Sequence, residues 1–254
     1  MKNKTVLVTG AATGIGRSTA ELFAAMGYQV AIGCNHSFAE GLQFARALSE
    51  MGMSTMAVKA DLSQPDQVDA MFRQIESVWG GVDILINNAG IAQQKLFTDI
   101  TNEDWNAMVG VNLSGVFYCC RAALPYMIRQ KAGSIVNVSS MWGICGASCE
   151  VHYSAVKAGV IGLTKALAKE VGPSGIRVNC IAPGAIATRM NDNLDEEAVA
   201  LLREETPLGR MGTPEEIAKA IASVIQQGAE LKPAMTKLRS TLENIYNTQV
   251  KPHL

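Results

Sequence analysis

Short apolar, β-branched runs alternate along this chain with segments whose apolar residues recur every three or four positions. TVLVT at 5–9 leads into a helical pattern from about Ile15 to Met26. YQVAIG at 28–33 precedes a helix over 38–51, and STMAVKA at 54–60 precedes one over 65–79. VDILIN at 82–87 opens a long helical stretch, with 103–109 leading into 112–130. SIVNVSS at 134–140 precedes 151–171, and IRVNCIA at 176–182 precedes helices near 195–204 and 214–226. Six strand–helix units in series predict an α/β, Rossmann-like, doubly wound parallel sheet with helices on both faces, linked by right-handed crossovers. The strands are apolar at nearly every position, as strands buried on both faces should be. Without a repeat, a low-complexity tract or a Pro/Ser-rich linker, one domain is expected over 1–226, with 227–254 belonging to it.

Composition narrows the class. The chain has 254 residues, 48% hydrophobic and 18% charged, with a net charge of -1. That balance gives no support for nucleic-acid or anionic-membrane binding, which favour a basic chain. No uninterrupted apolar run reaches the ~18 residues of a membrane span. MKNKTVLVTG goes straight into a strand-like run without the long apolar segment and cleavage site of a signal peptide, so the expected location is the cytoplasm. The six cysteines (Cys34, Cys119, Cys120, Cys145, Cys149, Cys180) lack a CxxC and are expected as reduced core or near-core thiols. His36, His152 and His253 have no metal-ligand spacing, so no metal site is expected.

The first strand ends in TGAATGIGRSTAELF, in which Gly10, Gly14 and Gly16 stand at a strand-to-helix junction, with Thr13 and Ile15 between them. A helix N-terminus presents free N–H groups and partial positive charge to a pyrophosphate, and glycine lets the backbone come close to it. The same spacing would also serve a tight turn that packs helix on strand. The end of the second strand discriminates dinucleotides, because a carboxylate there would bond a ribose hydroxyl and repel a 2′-phosphate. IGCNHS at 32–37 carries no acid, the nearest being Glu40, and Asn35, His36 and Ser37 can donate to a phosphate. NADP(H) is therefore favoured over NAD(H), although Arg17 is the only basic residue that the glycine turn offers.

YSAVK at 153–157 places a tyrosine and a lysine one helical turn apart, on one face. With TGAATGIG at 9–16, NNAG at 87–90, Asn112, the serine pair at 139–140 and RVNCIAPG at 177–184, the chain resembles the short-chain dehydrogenase/reductase family over about residues 4–226. Within it, the sequence looks most like the 3-oxoacyl-carrier-protein reductase type. KLFTDITNEDW at 95–105 and SSMWGICGASCEVHYSAVKAG at 139–159 are also similar to a branch that reduces a 5-aminopentanone group on a lysine of elongation factor P.

The resemblance implies a tetrad of Asn112, Ser140, Tyr153 and Lys157. Ser140 rather than Ser139 stands thirteen residues before the tyrosine, as in the family, and adjacent strand residues face opposite sides. Hydride transfer from a nicotinamide leaves negative charge growing on the carbonyl oxygen. Tyr153 would then supply the proton, with Lys157 expected to lower its pKa from about 10 and to hold the nicotinamide ribose. Ser140 would bond the oxyanion. Asn112 would anchor a water, or bond backbone at a helix kink.

By the same resemblance, Asp61 and Leu62 flank the adenine, while Asn88, Ala89, Gly90 and Val111 line the cofactor. Pro183, Gly184, Ile186 and Thr188 hold its nicotinamide end. Met141, Trp142, Cys149, Glu150 and Met190 are candidate substrate contacts, with Glu150 suited either to a cationic substrate or to a solvated helix start. Met190, Leu194, Leu201 and Leu202 line an apolar entrance or pack as helix core.

A small or carrier-bound ketone is the implied substrate, and a homodimer or homotetramer the implied assembly. A dinucleotide-binding regulator without turnover is the reading from another class. The family closes with TG, a last strand and a VDGG-like end, and this chain lacks them. Instead Leu231, Met235, Leu238, Leu242 and Ile245 predict an amphipathic helix. That helix could cover the sheet edge, pack on a partner chain, or come from an altered reading frame, which puts a tetramer in doubt.

Overall fold

The computed structural model describes residues 4–191 and 196–226. Six strands form one parallel sheet: β1 (Thr5–Thr9), β2 (Gln29–Cys34), β3 (Thr55–Lys59), β4 (Ile84–Asn87), β5 (Gly133–Val138) and β6 (Ile176–Ile181). Their order is β3-β2-β1-β4-β5-β6. The chain thus runs outward from β1 in one direction, returns, and runs outward in the other. The gap between β1 and β4 is the point where strand order reverses, and ligands of open α/β sheets bind beyond the strand ends there.

The helices are α1 (Gly14–Ala25), α2 (Phe38–Glu50), α3 (Pro65–Trp79), α4 (Asn102–Val109), α5 (Gly115–Gln130), α6 (Trp142–Cys145), α7 (Val151–Val171), α8 (Glu196–Glu205) and α9 (214–226). In β1, Val6 and Val8 enter one apolar cluster and Leu7 enters the other, the period-two alternation of a strand covered on both sides. Phe23 of α1, Phe44 of α2 and Ile221 of α9 pack on the first face. Met71 of α3, Met127 of α5 and Val160 of α7 pack on the second. Each such side chain, fully buried, contributes about 1.5–3 kcal/mol.

Strand and helix boundaries fall within a residue or two of the sequence pattern. Between α4 and α5 the chain stays helical, as the long helical stretch expected there implies, but through a five-residue π turn, Gly110–Ser114, that the pattern did not reveal. The resulting stretch Asn102–Gln130 is long and apolar enough to cross a membrane, which corrects the reading of no candidate span. Its buried residues, among them Val116, Cys119, Cys120, Ala123 and Met127, pack against the sheet, as a core helix does.

The leucine stripe of α8 was expected to pack as helix core or line an entrance. None of the helix's residues is buried, which removes the core alternative: Leu201 is exposed. All six cysteines are free, but Cys145 is exposed rather than near the core. On β6, Arg177 donates to the carbonyls of Val224 and Ile225 at 3.0 and 2.8 Å and so caps the described end of α9. Leu194 and the helix expected over 231–245 lie outside the described residues.

Candidate active site

The glycine turn is held by the neighbouring strand. Gly10 and Gly14 have φ of +64° and +54°, a region open to glycine. A Cβ on Gly10 would come 2.8 Å from the Ala89 Cα, and one on Gly16 would strike the Gly10 carbonyl and the Asn88 amide. Asn88 donates through Nδ2 to the carbonyls of Thr9 and Gly10 at 3.0 and 3.2 Å. The backbone N–H groups of Asn88 and Ala89 both donate to Thr9 Oγ1, at 3.0 and 3.1 Å. NNAG therefore locks the end of β4 to the turn after β1. Thr13 caps α1 in an extended conformation without a side-chain bond to the helix. Ile15, beside it, packs into the core.

Other cofactor candidates gather around the same strand ends. Asn35, His36 and Ser37 form the loop after β2 and are half-buried to exposed. Asp61 Oδ1 accepts from the Ser63 N–H and hydroxyl at 2.9 and 2.7 Å, which shapes the loop after β3. Leu62 lies against Gly115, where a Cβ would come 2.8 Å from its own, so that loop meets the π turn holding Val111. Pro183 accepts at its carbonyl from the Met141 N–H at 2.9 Å, and Gly184 faces the Met141 sulfur. Ile186 is buried and pairs with Gly212. Thr188 lies against Gly14, with its methyl carbon 3.2 Å from where a Cβ would stand. The loop after β6 thus reaches the glycine turn after β1.

The four tetrad candidates are brought together. Asn112 is 0%, Lys157 4%, Tyr153 8% and Ser140 8% exposed, so all four sit below the surface. A Cβ on Gly90 would meet Asn112 Oδ1 at 2.6 Å and Lys157 Nζ at 3.5 Å, which places both side chains beside the end of β4. Asn112 Nδ2 donates to the carbonyls of Ile91 and Met108, each at 3.1 Å, and its Oδ1 accepts from the Ile91 N–H at 3.2 Å. These are the backbone bonds anticipated for a kink residue, and the π turn supplies the kink. Lys157 Nζ donates to the Val138 carbonyl at 3.0 Å and stands 5.5 Å from the Tyr153 ring centroid.

The serine pair divides as strand alternation requires. Ser139 Oγ donates to the Lys157 carbonyl at 2.8 Å, tying β5 to α7. Ser140 accepts the Trp142 N–H at 3.2 Å and hydrogen-bonds the Tyr153 phenol. Burial pulls the Lys157 ammonium down to about 8. Tyr153 differs from expectation: burial pushes its phenol above the ordinary value, the bond to Ser140 pulls it back in part, and the Glu150 carboxylate raises it further. Lys157 was expected to lower it. Desolvation of the phenol dominates instead, and the lysine is itself deprived of water.

Of the substrate candidates, Trp142 packs with Met108, Tyr153 and Val156. Met141 is half-buried, Glu150 accepts from Gln94 Nε2 at 3.3 Å, and Met190 is exposed. Cys149 holds φ of +61°, rare for a side-chain-bearing residue, and its carbonyl accepts the Lys95 N–H at 2.7 Å.

Sequence reasoning missed α6, whose Gly143 packs flat on α7 beside Lys157. It also missed a chain from buried His152 Nε2 to Gln93 Oε1 at 3.0 Å, from Gln93 Nε2 to Asp104 Oδ1 at 2.9 Å, and from Lys95 Nζ to Asp104 Oδ2 at 2.6 Å. His152, Val156 and Val160 recur every fourth residue as a buried stripe of α7, which was the available signal for the histidine. Its partners, some fifty residues away, left none.

The residues present fit a nicotinamide dinucleotide. The turn before α1 reaches the helix N-terminus through glycines at positive φ, the first turn of α1 has no acidic residue, and a lysine and an asparagine carbonyl oxygen face the backbone at Gly90.

Comparison with known proteins agrees. Residues 4–199 match the short chain dehydrogenase family. The 3-oxoacyl-[acyl-carrier-protein] reductase FabG of Staphylococcus aureus is 38% identical over 227 residues, covering 89% of this chain and 92% of that protein. FabG of Chlamydia trachomatis is 40% identical over 229 residues, covering 89% and 92%. The 3-oxoacyl-[acyl-carrier-protein] reductase of Synechocystis is 40% identical over 215 residues, covering 85% and 86%. A glycine turn at the sheet's switch point, a buried Tyr-Lys pair and matches of this extent lead to one assignment: the chain belongs to the short-chain dehydrogenase family of oxidoreductases.

Proposed function

We propose that the protein reduces the ketone of a 3-oxoacyl thioester, carried by an acyl carrier protein, to a secondary alcohol at the expense of NADPH. The convergence of Ser140, Tyr153 and Lys157 below the surface, beyond the end of β5, carries this reading. The named relatives act on the same class of substrate. The nicotinamide, when bound, supplies the hydride.

The chain's own residues do the rest. Ser140 Oγ donates to the carbonyl oxygen and fixes its position. Tyr153 donates its phenolic proton to that oxygen as charge develops there, and a phenol kept protonated by burial is suited to acting as an acid. Lys157, charged below about 8, offsets the charge left on the tyrosine and would hold the nicotinamide ribose hydroxyls of a bound cofactor. Asn112 holds the loop after β4 against the π turn between α4 and α5 through its bonds to Ile91. The Asn87–Asn137–Thr164 bonds stiffen the sheet beneath this pocket.

A second reading is favoured by one observation. Glu150, three residues before Tyr153 at the start of α7, adds to the rise of the phenol's pKa, so a cationic group on the substrate would find a carboxylate on the same side of the helix start. The 5-aminopentanone group on a lysine of elongation factor P is such a ketone. Assay of NADPH oxidation with a short 3-oxoacyl thioester and with an amine-bearing ketone separates the two. Turnover of the thioester supports the first reading. Turnover of the amino ketone alone, lost in Glu150→Gln, transfers the assignment to the second.

A further inference from the structure

Arg189 and Glu40 form a bidentate ion pair, with Nη1 to Oε2 at 3.0 Å and Nη2 to Oε1 at 2.9 Å. They are 149 positions apart. Arg189 follows Thr188 in the loop after β6, and Glu40 stands in the first turn of α2, after β2. Strands β2 and β6 lie on opposite sides of the β1–β4 switch point. The pair therefore joins the two halves of the sheet across the crevice where a dinucleotide lies.

Glu40 is one helical turn from Phe44, whose ring the guanidinium of Arg17 covers at 4.2 Å. Arg17 belongs to α1, so two guanidinium groups from different elements converge on the face of α2 that follows the adenosine-side loop. A carboxylate and a phosphate present the same paired oxygens to an arginine fork.

We infer that Arg189 is the residue that selects a 2′-phosphorylated cofactor, with Glu40 holding its guanidinium in place by standing in for that phosphate. This rests on the NADPH reading above and names the positive charge that the loop 35–37 lacks. Arg189 both neutralises the carboxylate of Glu40, which would repel a 2′-phosphate, and offers a fork that the phosphate can take over. The ion pair is largely exposed, so as a contribution to folding it is small. Its effect falls on ligand choice.

The test reads binding without turnover, by titrating the protein with adenosine 2′,5′-bisphosphate and with AMP, and in parallel with NADPH and NADH. Arg189→Gln is expected to cut the preference for the 2′-phosphorylated ligand about tenfold or more. Glu40→Gln is expected to increase that preference, because the competing carboxylate is gone. A wild-type preference that survives Arg189→Gln unchanged overturns the inference and leaves the NADPH reading standing. A wild-type protein without any preference for the bisphosphate overturns both. A preference that falls in Glu40→Gln contradicts the stand-in role.

Discussion

Lys157 is 4% exposed, and its ammonium is drawn down to about 8 by burial, while burial moves the Tyr153 phenol the other way. The proposed reduction needs the tyrosine protonated and the lysine charged. As pH rises, the lysine loses its charge first, through about 8, while the tyrosine still holds its proton. The value of kcat/KM for the nucleotide, which reports groups of the free enzyme, should be level below neutrality and fall with a midpoint near 8. A profile flat to pH 10 would contradict this.

The adjacent serines separate in the same way. Ser140→Ala should lower kcat about 10²-fold, the scale of losing one donor to an oxyanion. Ser139→Ala should leave the chemistry in place and cost about 1 kcal/mol of stability, because it removes the bond that ties β5 to α7. Parallel kinetics and thermal melts decide it. The thirteen-residue spacing and strand alternation already pointed to Ser140. The direction of the tyrosine shift was not legible, because desolvation depends on what the whole fold packs around the ring.

At the scale of elements, the glycine turn was legible and the π turn was not. GxxxGxG after an apolar strand has a local cause, since Gly10 and Gly14 must take positive φ and Gly16 must admit the Gly10 carbonyl. Gly10→Ala brings a Cβ to 2.8 Å from the backbone of Ala89 and forces an unfavourable φ. It should weaken nucleotide binding more than tenfold and lower Tm, and a titration showing wild-type affinity would refute the close-packed turn. The π turn at Gly110–Ser114 is set by the bonds of Asn112 to Ile91 and Met108. Ile91 is contributed by the loop after β4, so no window around Asn112 could reveal the turn. The network from His152 to Asp104 was hidden for the same reason, each partner reading as an ordinary polar residue of its own element.

Across the whole molecule, the alternation of apolar runs and helical periods was enough to place all six strands and their parallel direction, though not their order in the sheet. Burial on both faces leaves a strong imprint on composition. The cleft itself was less legible. It is made where loops after β1, β2, β4, β5 and β6 meet, and the Glu40–Arg189 fork that spans it joins positions the sequence keeps far apart. The central claim is that this cleft uses Tyr153 to protonate a ketone as hydride arrives. Its most direct measurement is the rate of NADPH oxidation with a short 3-oxoacyl thioester for the wild type and Tyr153→Phe, alongside nucleotide binding by both. The account predicts a loss of about 10²–10⁴-fold in kcat with nucleotide affinity kept within a few-fold. Equal rates for the two proteins would contradict it.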